Sequence, residues 1–187
     1  MFVAHTQATA PDRSKKALEA AEKQFGFVPD ALARMAESPA LVEAFSHASH
    51  LFERTSLGPV EREVVILVVA RDIGCEYCRA LHTTILSAQG NEALARTVLG
   101  GRPLDDPKLE ALARYTRRVL ETRGAVEDGD LGAFLDAGWD LRAALDVLVG
   151  VGAYTFSTFA NRLTRARVDS AFHDRSGDPP AVHATPG

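Results

Sequence analysis

Two cysteines and a histidine carry the most evident chemistry in this sequence. Cys75 and Cys78 are the only cysteines in the chain, and His82 follows shortly after them. Gly74 favours a new helix beginning near Cys75, and residues three or four apart on a helix share one face. Both sulfurs and the imidazole would then lie near a helix N-terminus, where the dipole favours thiolate, the reactive form of cysteine. Two thiols at this spacing can also close a disulfide.

A carboxylate precedes this group on the helix that is predicted to end at Gly74. Glu63 would face His82 and the thiols if the chain folds back at Gly74. The carboxylate would then orient the imidazole, and the imidazole would take a thiol proton. The alternative for Glu63 is that it only balances the helix dipole from the first turn.

The motif alone is compatible with three other roles for the two cysteines. The two thiols could be structural. They could bind zinc with His82, and His47 or His50 would supply a fourth ligand, although structural zinc sites usually show two paired clusters. They could also belong to a thioredoxin fold, which needs several strands.

The elements that must position these residues are predicted to be helices. The apolar run VVILVVA, residues 64–70, continues from the charged, helix-favouring VERE, and no other segment resembles a partner strand. Ser38, Asp106 and Asp140 are predicted N-caps, and Gly26 is predicted to end the first helix. The predicted fold class is therefore all-α, with about eight helices.

The chain divides into one domain and two tails. The prediction is a flexible N-terminus at 1–13, a single all-α domain at 14–173, and a disordered Pro/Gly-rich tail at 174–187. Ser14 and Asp30 are the predicted N-caps of the first two helices.

The last predicted helix, 141–167, is apolar nearly all round. Such a helix must be buried, either in a core or between subunits, which predicts a homo-oligomer. A membrane span is the competing interpretation. Asp146 and two glycines interrupt the apolar stretch, whereas a span needs about 20 apolar residues, so no membrane insertion is predicted.

The charge and the N-terminal sequence predict which classes of partner the protein lacks and in which compartment it lies. The 187 residues include 21 Lys and Arg against 25 Asp and Glu, a net charge of −4. A mildly acidic protein attracts neither nucleic acid nor anionic membranes, so neither is predicted as a partner. The N-terminal residues lack the apolar core of a signal peptide, which predicts a cytoplasmic protein.

The segment 63–82 resembles the signature of alkylhydroperoxidase-D-like proteins, the carboxymuconolactone decarboxylase superfamily. The acid, the CxxC motif, the final histidine and their spacing all match. The flanking segments FGFVP at 25–29 and FANR at 159–162 resemble its peroxidase-related branch. The resemblance spans roughly residues 15–170.

This resemblance implies an all-helical fold, a thiol peroxidase centre without metal or haem cofactor, and a homotrimer or homohexamer. By the family motif, Cys78 would be the peroxidatic cysteine and Cys75 the resolving one. Glu63 and His82 would form the proton relay. Tyr77 stands where the founding peroxidase has a further histidine, so it would join the relay or line the site.

The leading hypothesis is a thiol-dependent hydroperoxide reductase in antioxidant defence, with a hydroperoxide substrate and an external dithiol reductant. Attack by Cys78 is favoured because His82, one helical turn along, can take its proton, whereas the dipole helps both sulfurs. One alternative is a disulfide-exchange or redox-sensing module with the same pair. Another is a carboxymuconolactone-decarboxylase-like enzyme that uses Glu63 and His82, with the cysteines incidental.

Overall fold

The protein is all-α over the part of the chain that the structure describes. The computed structural model describes residues 2–172, which form nine α-helices, a closing 3-10 turn and no strand. The predicted fold class is confirmed, with one more helix than the approximate count. The helices are α1 (Asp12–Phe25), α2 (Asp30–Met35), α3 (Pro39–Glu53), α4 (Pro59–Ile73), α5 (Glu76–Ala88), α6 (Glu92–Gly100), α7 (Pro107–Thr122), α8 (Asp128–Asp136) and α9 (Leu141–Thr164), and the 3-10 turn is Ser170–Phe172.

Three of the five predicted N-caps are confirmed and two are wrong. The side chains of Ser38, Asp106 and Asp140 accept backbone N–H bonds at the starts of α3, α7 and α9. Ser14 instead lies inside α1, and Asp30 is the first helical residue of α2. A proline directly precedes each of these two helices and is preorganised for the turn into it, so α1 begins two residues before Ser14 and α2 begins at Asp30 itself.

Helix α4 is the central helix of the core. Residues 64–70 are helical, as predicted, and every one of their side chains is buried. The helix packs against α5, α7 and α9, so it meets protein on several sides. These contacts explain why residues 64–70 are all apolar, and packing of this kind overrides the modest helix propensity of valine.

Helix α9 lies against α3 and α4 along its inner face. Gly150 allows this close approach, because an added Cβ would lie 2.5 Å from the ring of Phe52 and 3.0 Å from Val65. The 24-residue helix has the length and hydropathy of a membrane span, yet half of its most apolar window is buried within the protein. Helices in the cores of folded proteins can have the same length and hydropathy. The outer face exposes six large apolar side chains: Leu141, Leu145, Leu148, Phe156, Phe159 and Leu163.

Both ends of the described chain pack on α2. The backbone N–H of His5 donates to Ala33 O at 3.0 Å, and Ala10 is buried. The flexibility predicted for 1–13 stays a prediction, although these contacts hold part of that segment in place. The tail predicted at 174–187 lies outside the described residues.

Candidate active site

The corner between α4 and α5 positions the two cysteines. Helix α4 ends at Ile73, and Gly74 takes the left-handed conformation with φ of 74°, which glycine adopts without strain. Cys75 is then the N-cap of α5, and Cys78 lies in its first turn. The guanidinium of Arg162, from α9, donates to the carbonyl of Ile73 and fastens the corner to that helix.

The two thiols are buried and unbridged. Each cysteine is only 1% exposed, and neither forms a disulfide. The sulfur of Cys75 accepts the backbone N–H of Cys78 at 3.4 Å, so it acts as the helix cap. The sulfur of Cys78 lies 3.6 Å from Ser157 Oγ. The side-chain amide of Asn161 donates to Cys78 Sγ at 3.3 Å and, at a longer 3.9 Å, to Cys75 Sγ.

The sulfurs shift each other's pKa in opposite directions. A hydrogen bond from the Cys78 thiol is the main cause that lowers the pKa of Cys75 from 9.0 to about 7, against the opposing effect of burial. Donating that bond raises the pKa of Cys78 well above 9.0, and burial and the charge of Cys75 add to the rise. The two groups therefore share one proton near neutral pH, and the titration belongs to the pair.

This pKa order differs from what the sequence led us to expect. From the helix dipole and His82 we expected the more reactive thiolate at Cys78. The hydrogen bond between the sulfurs, which the sequence does not reveal, places the resting charge mainly on Cys75.

Glu63 and His82 lie together, as the fold-back at Gly74 predicted. Glu63 Oε2 is 2.8 Å from His82 Nδ1, and the imidazole is 5% exposed. The ring of Tyr154 meets the imidazole edge-on, with centroids 5.2 Å apart. The bond to Glu63 occupies Nδ1 and leaves Nε2 as the nitrogen that can take a proton. Within residues 2–172, no hydrogen bond joins His82 to either sulfur, although His82 follows Cys78 by one turn of α5.

Tyr77 has a different partner from the other predicted site residues. Its hydroxyl donates to Asp169 Oδ2 at 2.5 Å, and its ring packs on Phe172 with centroids 6.1 Å apart. Asp169 also accepts the backbone N–H of Asp30. Burial is the main cause that raises the pKa of Tyr77, and the bond to Asp169 raises it further. The tyrosine therefore holds the segment after α9 against the start of α5.

Sequence reasoning missed the contribution of α9 to this site. Tyr154, Ser157 and Asn161 lie on one face of that helix, at spacings of three and four residues, and reach the imidazole or the sulfurs. Two signals could have found them. Polar residues recur at helical spacing in an otherwise apolar helix, and Asn161 lies in the FANR segment that carried part of the family resemblance.

The zinc alternative gains no ligand set from the geometry. Among the residues that the structure describes, no group of three or more His, Cys, Asp or Glu side chains is arranged to hold a metal ion. His47 and His50, the suggested fourth ligands, are exposed on α3.

Comparisons with known proteins agree with this fold and motif. The model of the carboxymuconolactone decarboxylase family matches residues 30–94. An alkyl hydroperoxide reductase of Mycobacterium tuberculosis (strain ATCC 25618 / H37Rv) is 33% identical over 107 residues. That alignment covers 54% of this chain and 30% of the relative, so the chain spans less than a third of the relative's length.

Solved structures share the fold over most of the chain. An uncharacterised peroxidase-related protein from Ralstonia eutropha JMP134, with an alkylhydroperoxidase core, has a TM-score of 0.82 at 20% identity, covering 91% of this chain and 93% of its own. A peroxidase-related protein from Silicibacter sp. TM1040 has a TM-score of 0.78 at 19% identity, covering 94% and 95%. The debrominase Bmp8 has the same fold, with a TM-score of 0.67 at 15% identity, covering 86% and 88%.

Over residues 2–172 the chain therefore has the all-helical fold of the alkylhydroperoxidase-D-like structures. Residues 30–94 match the carboxymuconolactone decarboxylase family model, and the similar proteins include some named for peroxide reduction.

Proposed function

We propose that this protein is a thiol-dependent hydroperoxide reductase that uses Cys75 and Cys78. The observation that carries the proposal is the pair itself: two buried, unbridged thiols lie at the N-terminus of α5, the Asn161 amide donates to both sulfurs, and the pKa of Cys75 is lowered to about 7. A thiolate at neutral pH is the nucleophile that peroxide reduction requires. The hydrogen-bonded Glu63 and His82 supply a proton route beside it.

The reaction balances with these groups and two substrates. His82 first takes one proton from the thiol pair, which leaves one thiolate and one thiol. The thiolate attacks the terminal oxygen of the hydroperoxide, the O–O bond breaks, and a sulfenic acid forms while the alcohol leaves with the proton that His82 took. The second sulfur attacks the sulfenic sulfur, which forms the Cys75–Cys78 disulfide and releases water. An external dithiol then reduces the disulfide with two electrons and returns both thiols.

Cys78 is the proposed attacker and Cys75 the proposed resolver. The hydrogen bond between the sulfurs lets the proton pass from Cys78 to Cys75, so the resting charge does not by itself choose the attacker. Three side chains favour the charge on Cys78 during attack. Ser157 and Asn161 both contact its sulfur, and His82 follows it by one helical turn.

The assignment is tested with two single variants and a sulfenic-acid probe read by mass spectrometry. In Cys75→Ser, one equivalent of hydroperoxide should leave a trappable sulfenic acid on Cys78 without turnover. In Cys78→Ser, Cys75 should label at least roughly tenfold more slowly, because the adjacent base and the Asn161 contact favour the other sulfur. Faster labelling of Cys75 would reverse the assignment.

The same proteins separate the alternative functions. Hydroperoxide consumption that depends on a dithiol donor and on both cysteines supports the reductase. Disulfide exchange with a model dithiol, without peroxide consumption, would support the exchange or sensing module. Lactone decarboxylation that survives the double Cys→Ser change would support an enzyme that uses Glu63 and His82 alone.

We also propose that the protein is a homotrimer or homohexamer in which the outer face of α9 is buried. Leu145 is 65% exposed and Leu163 is 69% exposed in the single chain, and such apolar stripes are rare on monomers. Sedimentation should give a multiple of the 20.1 kDa chain mass. Leu145→Glu should shift the protein toward the monomer, whereas a wild-type monomer at micromolar concentration would contradict the proposal. The predicted cytoplasmic location stays a prediction.

A further inference from the structure

Asn161 combines two properties that a structural asparagine lacks. Its amide nitrogen lies 3.3 Å from Cys78 Sγ and 3.4 Å from Ser157 Oγ, and the side chain is 3% exposed. Its carbonyl oxygen, Oδ1, is fully buried and has no hydrogen-bond partner within the described part of the chain. A buried acceptor without a partner costs about 1–3 kcal/mol, so most buried amides are placed where both ends are bonded.

The position of the unpaired oxygen follows from the geometry of the amide. The oxygen and nitrogen of one amide are about 2.3 Å apart, so Oδ1 lies within about 5.6 Å of the sulfur that Nδ2 contacts, a span that one bound hydroperoxide can bridge. A hydroperoxide that approaches Cys78 brings an O–H donor and an oxygen to be attacked. One amide can therefore serve the nucleophile with its donor and the substrate with its acceptor.

We propose that Asn161 is a catalytic residue of the reductase: Nδ2 stabilises the Cys78 thiolate and Oδ1 binds the O–H of the hydroperoxide. This inference rests on the proposed function. The bound hydroperoxide directs its terminal O–H to Oδ1 and that same oxygen to the sulfur. When the thiolate attacks, the S–O bond forms and the O–O bond breaks. The new sulfenic O–H keeps its bond to Oδ1, and the departing alkoxide takes the proton from His82.

Ser157 orients the Asn161 amide and makes a second, weaker contact with the sulfur of Cys78. Its hydroxyl accepts from Asn161 Nδ2 and lies 3.6 Å from Cys78 Sγ, so it holds the amide in the orientation that faces the sulfur. We therefore expect Ser157→Ala to have a weaker effect than loss of the amide, because it removes the second sulfur contact and leaves the first.

The experiment uses the Cys75→Ser protein, in which Cys78 is the only thiol, and compares it with Asn161→Ala, Asn161→Ser and Asn161→Asp in that background. Thr164→Ala is the matched control, since Thr164 is also buried on α9 but bonds to Ala160 of its own helix. Ultraviolet thiolate absorbance gives the pKa of Cys78 in each protein. Stopped-flow sulfenic-acid formation with cumene hydroperoxide gives a second-order rate constant, which is then divided by the measured thiolate fraction.

Loss of Nδ2 and loss of Oδ1 should change two different quantities, the pKa of Cys78 and the rate per thiolate. Loss of Nδ2 should raise the pKa of Cys78 by about one unit in Asn161→Ala, and more in Asn161→Asp, where a carboxylate faces the thiolate. Loss of Oδ1 should lower the rate per thiolate at least roughly tenfold in Asn161→Ala. Asn161→Ser keeps a hydroxyl near the sulfur, so its pKa should move less. Thr164→Ala should change neither quantity.

The outcomes distinguish this proposal from the proposed function. If Cys75→Ser reacts with the hydroperoxide but Asn161→Ala changes neither the pKa nor the rate per thiolate, Asn161 is structural and the proposal is overturned while the reductase stands. If Cys75→Ser forms no sulfenic acid while the wild type consumes hydroperoxide, Cys78 is not the attacker, so substrate binding by Oδ1 beside it fails while the reductase stands. If the wild type consumes no hydroperoxide either, the reductase and substrate binding by Oδ1 both fail. In that case a raised pKa in Asn161→Ala still supports the contact with the thiolate.

Discussion

Glu63 Oε2 lies 2.8 Å from His82 Nδ1, across two helices that meet at the Gly74 corner. The imidazole is bonded to this carboxylate and packs against the Tyr154 ring, with the two ring planes 82° apart. Both side chains are largely buried, so solvent screens their interaction little. The histidine that follows Cys78 on α5 is thereby held in one orientation.

Glu63→Gln should lower hydroperoxide reduction by roughly 10²–10⁴-fold, because the amide keeps the shape of the carboxylate but not its charge. Steady-state consumption with a dithiol donor measures the change. Glu61→Gln is the matched control, since it removes a carboxylate from the first turn of the same helix. Equal losses in the two variants would show that charge on α4, rather than the His82 contact, is responsible.

The pKa of the cysteine pair should depend on the bond between the sulfurs. Cys78→Ala removes the main cause of the lowered pKa of Cys75, so that pKa should rise from about 7 toward 9.0. Thiolate absorbance against pH measures the shift. Cys78→Ser retains a hydroxyl donor and should shift it less. An unchanged pKa in Cys78→Ala would show that the helix N-terminus alone lowers it.

The free energy of unfolding should depend on pH through the shifted pKa values of the same two cysteines. Because the pKa of Cys75 is lowered on folding, its ionisation adds stability as pH rises from about 7 to 9.0, and this gain is lost as pH falls through 7. The raised pKa of Cys78 works in the opposite direction above pH 9.0. Denaturant unfolding of the reduced protein should therefore show a larger advantage over Cys75→Ser at pH 8.5 than at about pH 6.5.

Tyr77→Phe distinguishes a structural tyrosine from a proton relay. The hydrogen bond from its hydroxyl to Asp169 should contribute about 1.5–3 kcal/mol, so the variant should unfold at lower denaturant. Sulfenic-acid formation should stay within about twofold of wild type, because the hydroxyl bonds to Asp169 rather than to a thiol. Tyr115→Phe, on α7, is the control. A lower rate of sulfenic-acid formation without a loss of stability would contradict the structural role and support a proton-relay role for Tyr77.

Two glycines on α9 should respond to alanine in opposite ways. Gly150→Ala places a Cβ 2.5 Å from Phe52, so it should cost about 1–3 kcal/mol of stability. In the single chain Gly152→Ala meets nothing within 4 Å, so in the monomer-directed Leu145→Glu background it should gain up to about 1 kcal/mol from helix propensity. Thermal unfolding of both variants measures the difference. Stabilisation by Gly150→Ala would show that α3 and α9 can separate without loss.

The local features of this protein could be read from its sequence. The helix starts at Ser38, Asp106 and Asp140 depend on side chains that bond to backbone groups two or three residues away. The corner at Gly74 depends on the left-handed backbone that glycine permits. The glycine corner and the capping of α5 by Cys75 together place the CxxC motif at the start of that helix. The family signature also lies within one continuous segment, 63–82, so resemblance could identify it.

Only the tertiary structure decided which distant groups complete the site. Asn161 is 83 residues from Cys78 in sequence, and their contact requires α9 to pack along the inside of the fold, which Gly150 permits. The pairing of Tyr77 with Asp169 depends in the same way on the chain returning after α9. The order of the thiol pKa values follows from burial and from one hydrogen bond between the sulfurs. Such contacts depend on packing between helices, and helical spacing within one segment does not determine them.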